Sequence, residues 1–388
     1  MLVPLSYNLQ SLFVRRTATL LTVLGIGATV AVVASVLALQ QGFATLYGEA
    51  GREDVAVFLR QGAVSEGLSI FSRDKGLQLV KSVPEIAADT SGQPLASMEC
   101  TMAVRRPRIT GGEANVAIRG VQPATFAIRG ADVRIVEGRA PKPGADEVIV
   151  GRRLVDRIQD CRVGDVVQLN LTPLRVVGVF AGDGPFESEI WGDLDRVQQA
   201  LELSGPNRVI ARLRPGTDLE ALRERFRTHK ELPADVYTER DYLVAQTETV
   251  SAVLVFLGVF LGLVMGVAAA FTATNTMLAA LAARNHEIGV LLTSGFRPVP
   301  IFLSFLFEAL VLGLLGGLAG CLMVLPINGI ETGTTNVASF TEVAFAFRVT
   351  PPVLVTSVVF SLILGLLGGA LPAWRAARMR PVEAFGRH

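Results

Sequence analysis

Residues that form disulfides, bind metals or carry out catalysis are scarce in this chain. Of its 388 residues, three are cysteine, three histidine and two tryptophan. Three cysteines are too few for a disulfide scaffold, and the histidines form neither an H-E-x-x-H pattern nor a set with paired cysteines, so we predict no metal site. The sequence contains no G-x-x-x-x-G-K-S/T phosphate loop and no G-x-S-x-G nucleophile elbow. Enzymatic chemistry and a cofactor held by this chain are therefore not expected.

Charged residues are missing from long stretches on either side of a polar block. Residues 17–48, 249–283 and 349–374 contain none, and residues 298–330 contain only Glu308. Each stretch exceeds the roughly 20 apolar residues with which an α-helix crosses the hydrocarbon core. We predict four transmembrane helices, with apolar cores at residues 18–39, 250–281, 301–325 and 353–371. The first core, with 22 residues, is longer than the roughly 7 to 15 apolar residues of a signal peptide, so we expect it to remain as an anchor.

The arginines predict how these helices are oriented, because cytoplasmic loops retain positive charge during insertion. Eight arginines would lie together on the cytoplasmic side: Arg15, Arg16, Arg284, Arg297, Arg375, Arg378, Arg380 and Arg387. The polar block and the short loop after the third helix then face outward. We therefore expect a multi-pass protein of a bacterial cytoplasmic (inner) membrane with both termini in the cytoplasm. The outer block has no basic patch, so nucleic acid is not an expected partner, whereas membrane lipid is.

The outer block reads as two strand–helix–strand patterns around an insertion. Strand alternation at residues 54–60 and 96–104 flanks a helix at 73–83, and the same order returns at 208–213, 218–229 and 235–237, with Thr217 as the helix cap. Two such units can pair into a ferredoxin-like split sheet. Between them, residues 111–205 show short strand patterns broken by glycine and proline. We predict an α+β membrane protein whose large extracytoplasmic domain carries an inserted, mostly β subdomain.

The second membrane helix is predicted to extend well beyond the bilayer. Neither proline nor glycine interrupts residues 239–257, which lead directly into the apolar core. A continuous helix over residues 239–283 would span roughly 67 Å, more than twice the hydrocarbon thickness, so its first part would be a stalk. Before the first helix, an apolar face with Leu5, Leu9 and Leu12 favours an amphipathic interfacial helix over a frayed terminus.

These patterns divide the chain into nine predicted segments. They are a cytoplasmic amphipathic helix (1–17), the first membrane helix (18–42), the outer domain (43–247), the stalk with the second membrane helix (248–283), a cytoplasmic turn (284–298), the third membrane helix (299–326), a short outer loop (327–351), the fourth membrane helix (352–372) and a cytoplasmic tail (373–388).

The cytoplasmic turn, RNHEIGVLLTSGFRP (284–298), has a charged start and three apolar residues with helical spacing. Ile288, Leu291 and Leu292 would share one face of a helix, suited to a groove in a partner protein. Gly295 and Pro298 would end this helix and return the chain to the membrane. The alternative is a mere connecting hairpin.

This turn, with the following Glu308-Ala309 and the glycines from Gly313 to Gly320, resembles the coupling helix and third membrane helix of the FtsX/MacB/LolC family of ABC-transporter permeases. The carboxy-terminal LPAWRAARMRPVEA (371–384) is similar to that family's closing motif, and VEGR (136–139), EVIVG (147–151) and VVG (176–178) extend the match into the outer block. Thr293-Ser294 and Trp374 depart from the family pattern. The match covers most of the chain in the family's order.

The resemblance implies a mechanotransmission (type VII) permease, a homodimer bound to two cytoplasmic ABC ATPase subunits that hold ATP and Mg²⁺. It also implies a porter-like outer domain, made by residues of about 50–110 and 206–240. The residues that it assigns to ATPase coupling are Arg284, Glu287, Ile288, Gly289, Leu291, Leu292 and Gly295, and those of its carboxy-terminal motif are Pro372, Arg375, Arg378 and Pro381.

Two functions follow from the resemblance. In the first, the chain drives export or extraction of a lipid, lipoprotein, peptide or drug, with a periplasmic adaptor and an outer-membrane channel as further partners. In the second, it transports nothing and regulates an extracytoplasmic cell-wall hydrolase, as FtsX-like members do. The large inserted outer domain favours export. A membrane-anchored sensor is a weaker third reading, because a sensor needs neither the coupling segment nor three returning helices.

Three further features each have two interpretations. Glu308 inside a membrane helix is either a polar contact that responds to helix movement, with an arginine of the cytoplasmic termini, or a static interhelical hydrogen bond. Gly262, Gly266, Gly313 and Gly317 lie at four-residue spacing, which favours close helix packing within one chain or between two. Cys100 and Cys161 both fall in the outer block, where a disulfide between them is possible.

Overall fold

A computed structural model describes residues 16–48, 50–63, 65–182, 184–294, 297–335 and 340–379. The chain divides into two compact units. The helical unit comprises Met1–Gly42, Ala252–Ile330 and Ala346–His388, and the sheet unit comprises Phe43–Ser251 and Glu331–Phe345. The predicted amphipathic helix lies outside the described residues apart from positions 16 and 17, as do Gly295 and Pro381.

The elements follow the chain in this order: α1 (Arg16–Gly48), β1 (Val55–Arg60), α2 (Arg73–Ser82), β2 (Ala96–Pro107), β3 (Glu113–Val121), α3 (Pro123–Arg129), β4 (Val133–Gly138), β5 (Glu147–Gly151), β6 (Val166–Leu169), β7 (Thr172–Gly182), β8 (Glu189–Asp193), α4 (Leu194–Ala200), β9 (Arg208–Arg212), α5 (Leu219–Arg227), β10 (Ala234–Thr238), α6 (Glu239–Ala283), α7 (Asn285–Thr293), α8 (Pro298–Val324), β11 (Glu331–Thr335), β12 (Glu342–Ala346) and α9 (Pro351–Ala377). Short 3₁₀ turns include Glu66–Leu68 and Gly184–Ser188.

Among the residues that the structure describes, four helices are long and apolar enough to cross a membrane: α1, α6, α8 and α9. The fold class is therefore as predicted, with four such helices and a mixed α/β sheet domain between the first and second. Helix α6 is a single run of 45 residues, about 67 Å at 1.5 Å per residue. The structure thus contains the continuous helix that the absence of proline and early glycine indicated.

The predicted ferredoxin-like split sheet is present in the sheet unit. Its four strands have the order β10-β1-β9-β2 and are all antiparallel to their neighbours. Helices α2 and α5 connect β1 to β2 and β9 to β10. The cap of α5 corrects the prediction, because Asp218, not Thr217, accepts hydrogen bonds from the first-turn amides of Glu220 and Ala221. The Thr217 hydroxyl instead donates to the carbonyl of Arg214 at 2.7 Å.

The predicted inserted, mostly β subdomain is present, and one sheet runs through it and the split sheet. Strand β2 pairs with β9 through residues 96–99 and with β3 through residues 100–107. The sheet then continues through β8, β5, β7 and β4, with β6 paired to β7. A strand of 12 residues is long enough to pair with two partners in succession, so β2 joins the two parts.

The predicted outer loop before the last helix contains two strands, β11 and β12, that pair with each other, and Glu331–Phe345 belongs to the sheet unit. The carboxylate of Glu342 on β12 accepts from Arg157 at 2.6 Å and is also paired with Arg108. The Phe345 ring meets Phe43 edge-on at 5.4 Å between centroids. The sequence analysis had treated this segment as a plain outer loop.

Glycines set the packing of the helical unit. A Cβ atom on Gly313 would lie 2.7 Å from the carbonyl oxygen of Ser361, and one on Gly317 would overlap the Ser361 hydroxyl. On α6, a Cβ on Gly262 would contact Val33 and one on Gly266 would contact Leu364 at 3.1 Å. All four predicted packing glycines therefore lie against helices of the same chain, while packing between two chains stays a prediction.

The two outer-block cysteines are free and buried, which corrects the possible disulfide. Cys100 lies on β2 opposite Gly120 of β3, and its sulfur occupies the space beside that glycine. Cys161 follows the turn at Asp160, near Arg106. Burial raises the pKa of each thiol to about 12, so neither is readily ionised for disulfide exchange at neutral pH.

Candidate functional site

The first candidate site is α7, which connects two membrane-crossing helices through very short links. Arg284 alone separates α6 from α7, and its carbonyl accepts the first helical hydrogen bond, from the amide of Ile288 at 3.0 Å. Pro298 then occupies the first turn of α8, where its missing amide hydrogen costs nothing. The predicted coupling segment is therefore helical over Asn285–Thr293, while the predicted turn at Gly295 lies outside the described residues.

The buried face of α7 is the one that was predicted to meet a partner. Ile288 is 4% exposed and packs in an apolar cluster with Met277 and Leu281 of α6 and Phe305 of α8. Leu292 is partly buried against the same cluster, and Gly289 is also buried. Ile288 is thus a core residue of the helical unit rather than a contact for a groove, because i and i+4 positions turn inward together. The side chain of Leu291 lies outside the described residues.

The opposite face of α7 is exposed. It carries His286, Glu287, Val290 and Thr293, which repeat at three- and four-residue spacing as one helical face requires. Val290 is 43% exposed, an apolar side chain between charged and polar neighbours. Of this set, only Glu287 was among the residues predicted to couple to an ATPase, although the three- and four-residue spacing places the others on its face.

A buried ion pair holds the start of α7 against α8. Arg284 donates from Nη1 to Oε2 of Glu308 at 3.3 Å, and its Nε lies 3.5 Å from the exposed carboxylate of Glu287. Arg284 and Glu308 are only 8% and 6% exposed. Among the described residues Glu308 pairs with Arg284, so this contact lies within the coupling segment itself. The predicted contact of Glu308 with an arginine of the cytoplasmic termini stays a prediction.

The carboxy-terminal motif supports the same cluster from α9. Pro372, Ala373 and Ala376 are buried, and both alanines contact the cluster around Ile288 and Phe305. Arg375 and Arg378 are exposed. The Arg378 guanidinium lies 4.5 Å from the centre of the Trp374 ring, which is a cation–π contact. Trp374, one of the residues that depart from the family pattern, thus contacts an arginine of the carboxy-terminal motif.

A second candidate site, in the sheet unit, is a buried network of ionised side chains that the sequence analysis missed. Arg119 donates to both oxygens of Glu189, at 2.7 and 2.8 Å, and to Glu66 at 2.9 Å. Arg208 donates to Glu66 at 2.6 Å and through Nε to Glu99 at 2.8 Å. Each of these five residues is less than 10% exposed.

Neighbouring polar groups complete the network. The Thr125 hydroxyl donates to Glu99 at 2.9 Å, and Trp191 Nε1 donates to Glu189 at 2.7 Å. Arg129 pairs with Glu239 at 2.8 Å, where both side chains are almost fully buried. The charged residues come from positions that lie far apart in the sequence, on different strands and turns, so no local spacing could have identified them.

Burial alone raises the pKa of Glu99. The charges of Arg208, Arg119 and Arg129 together have a larger and opposite effect, so the pKa falls below its ordinary value, to about 2. Glu66 follows the same balance, since burial raises its pKa and Arg119 and Arg208 outweigh that effect to give a lowered value. The carboxylates of Glu99 and Glu66 are thus held ionised. Within the described parts of the chain, no group of three or more histidine, cysteine or acidic side chains is placed to hold a metal ion.

Comparison with known proteins identifies relatives of the whole chain. A MacB-like periplasmic core domain matches residues 19–229, and an FtsX-like permease C-terminal domain matches residues 258–381. The macrolide export ATP-binding/permease protein MacB of Chromobacterium violaceum is 25% identical over 96% of this chain, and that of Bordetella avium is 26% identical over the same share. The chain spans 58% of the length of each of these relatives.

Solved structures with some similarity include the periplasmic region of MacB from Actinobacillus actinomycetemcomitans, at 11% identity and a TM-score of 0.35 over 49% of this chain and 91% of that one. The extracellular domain of the noncanonic ABC-type transporter YknZ from Gram-positive bacteria has 10% identity and a TM-score of 0.34 over 47% of this chain and 98% of that one. The sequence matches, which cover both the sheet unit and the membrane-crossing helices, show that the chain belongs to the FtsX/MacB-type permease family.

Proposed function

We propose that this chain is the permease subunit of an ABC transporter and passes ATP-driven movement of partner subunits to its sheet unit. Its 388 residues contain no phosphate loop, so we assign ATP and Mg²⁺ to two cytoplasmic ATPase subunits bound to a homodimer of this chain. The observation that carries the proposal is α7, a short helix with an exposed face of Glu287 and Val290 and a buried face built into the helical unit.

The buried contacts of α7 suit it to transmit a push from a partner. A loosely attached helix would absorb a displacement, whereas α7 packs through Ile288 and is tied by Arg284 to Glu308. Removing one member of a buried ion pair typically costs about 3–5 kcal/mol. We therefore infer that α7 moves together with α6 and α8 rather than separately from them.

Helix α6 offers the route from α7 to the sheet unit. Near its C-terminal end, Met277 and Leu281 pack in the cluster that holds α7. At its N-terminal end, Glu239 forms the buried pair with Arg129, and Tyr242 packs against the β-strands of the sheet unit. Because the helix is continuous between these two anchors, a displacement at one end is passed on along its length.

For the cargo we propose a lipid, lipoprotein, peptide or drug, exported or extracted from the outer side of the cytoplasmic membrane. The support is the name of the relatives, which describes macrolide export, together with the large sheet unit between the first two membrane helices. A periplasmic adaptor and an outer-membrane channel belong to the same proposal. Deletion of the gene is then expected to reduce efflux or release of the cargo rather than cell-wall hydrolysis.

The coupling proposal is tested by recovering the partner from native membranes. The solubilised wild-type chain is expected to copurify with a protein that carries a G-x-x-x-x-G-K-S/T motif, identified by mass spectrometry. The double variant Glu287→Lys with Val290→Asp reverses a charge and removes an apolar contact on the exposed face. It should recover at least about 10-fold less of that protein, since residues at the centre of an interface are typically worth about 2 kcal/mol or more.

Glu224→Lys provides the matched control, because Glu224 is an equally exposed acidic residue on α5 of the sheet unit. It is expected to recover the partner at the wild-type level. The proposal fails if the wild-type chain recovers no protein with a nucleotide-binding motif, or if the double variant recovers as much of it as the control does.

A further inference from the structure

A large cavity opens in the sheet unit beside the buried ion network. Its volume is about 920 Å³, within the range of roughly 300 to 1,000 Å³ found for small-molecule sites. It is lined by the 3₁₀ turn at Glu66, by β2, β3 and β9, and by the first turns of α6. All its lining residues belong to the sheet unit.

The walls of the cavity are largely apolar and aromatic. They include Leu59, Leu68, Met102, Phe186 and Tyr242. Leu68 is 65% exposed and Met102 is 45% exposed, so apolar side chains also form the rim. Large apolar groups that face solvent beside a concave surface are the usual sign of a ligand with an apolar body.

Carboxylates dominate the charge of the cavity. The charged residues among its lining are Glu66, Glu189, Glu202, Arg119 and Arg208, so acidic groups outnumber basic ones. Both guanidiniums already donate to carboxylates, including Glu99 behind the wall. The same contacts occupy both oxygens of Glu66 and of Glu189, so these buried charges are paired with one another. Glu202 is the exposed charged residue of the lining, and its carboxylate favours a cation over an anion.

We propose that this cavity binds a small amphiphile, whose apolar body lies against Leu68, Met102 and Phe186 and whose single cationic group faces Glu202. The Phe186 ring already has the Arg129 guanidinium 3.9 Å from its centroid, so the cationic group is assigned to Glu202 and not to this ring. The inference goes beyond coupling to an ATPase and uses residues of the sheet unit alone. Its failure is therefore distinguishable from failure of the coupling proposal, whose test measures recovery of an ATPase by variants of α7.

The test measures binding of rhodamine 6G, a fluorescent cationic amphiphile, to the full chain in nanodiscs by fluorescence polarisation. Leu68→Trp is expected to fill the mouth of the cavity and weaken the saturable component by about 10-fold or more, a change that corresponds to about 1.4 kcal/mol. Leu171→Trp is the matched control, since Leu171 is 95% exposed at the turn between β6 and β7. It should bind the dye as the wild type does.

Glu202→Gln tests the charge preference without disturbing the buried network. It should weaken rhodamine 6G by about threefold, in keeping with an exposed charge pair, and leave the neutral probe N-phenyl-1-naphthylamine unchanged. Equal saturable binding by the Leu68 and Leu171 variants, or no saturable binding by the wild type, would overturn the site. A Glu202 variant that binds both probes as the wild type does would overturn the assignment of a cationic ligand.

Discussion

Neutralising Glu99 is expected to destabilise the sheet unit, because this carboxylate holds two buried arginines. It is fully buried, accepts from Arg208 and from the hydroxyl of Thr125, and lies 3.4 Å from Arg119. The variant Glu99→Gln keeps the size of the side chain and removes only its charge. Arg119 and Arg208 then share Glu66 and Glu189, with one buried carboxylate fewer.

The size of the effect follows from the pKa of Glu99. Its pKa falls from the usual 4.5 to about 2 in the folded protein, and each pKa unit is equivalent to about 1.4 kcal/mol, so the charge contributes about 3 kcal/mol. A similar value, about 3–5 kcal/mol, is typical for removing one member of a buried ion pair. Since the pKa is lowered, this stability is present above pH 4.5 and is lost as the pH falls towards 2.

The assay follows urea unfolding through the fluorescence of Trp191, which lies beside the network and donates to Glu189. The other tryptophan, Trp374, is replaced by phenylalanine in all variants. At pH 7 we expect Glu99→Gln to lower the free energy of unfolding by about 3 kcal/mol, and the difference from the wild type to shrink as the pH approaches 2. Glu224→Gln, at an exposed position, should change it by less than about 0.5 kcal/mol.

Two outcomes would refute this reasoning. If Glu99→Gln and the wild type unfold at the same urea concentration at pH 7, the network does not hold Glu99 ionised against burial. If the difference is present but does not decrease between pH 4.5 and 2, the loss comes from altered packing rather than from the charge.

Three further predictions concern other parts of the chain. Glu308→Gln should lower the partner-stimulated ATPase rate when the chain is reconstituted with its ATPase, whereas a full rate would make this residue a static contact. Gly313→Ala should lower the melting temperature, because the added methyl group overpacks the helix contact at a cost of about 1–3 kcal/mol. Gly25→Ala should not, because a Cβ atom at Gly25 would meet nothing within 4 Å. Equal melting temperatures of the two variants would contradict the packing at Gly313. Cys100 and Cys161 should both react with a thiol reagent in urea without reductant, and a disulfide would appear as two missing thiols.

The membrane-crossing helices could be predicted from the sequence because a single physical constraint defines them. A lipid-embedded helix needs about 20 residues without charge, and the four charge-free stretches met that constraint with only Glu308 as an exception. The long α6 was equally predictable, since residues 239–283 contain no proline and the first glycine, Gly258, lies inside the apolar core. The ferredoxin-like sheet followed from the strand patterns at β1 and β9, which are buried along most of their length.

The buried face of α7 could not be predicted from the sequence. Spacing within α7 defines which side chains share a face, but not whether that face meets the same chain or another one. Ile288 and Leu292 fit both readings equally well. Only the position of α6 and α8 around them shows that the chain itself covers this face, which is why the proposed contact with a partner uses Glu287 and Val290.

The ion network shows the same limit in the sheet unit. Charged residues inside strands, such as Glu99 on β2 and Arg119 on β3, look like solvent-facing positions when only alternation is considered. They become interior once β2 pairs with both β9 and β3, because that sharing places the carboxylate between two arginines. The network also lies against the start of α6, where Glu239 pairs with Arg129. Pairing of strands far apart in the sequence therefore builds both the network and the wall of the cavity beside it.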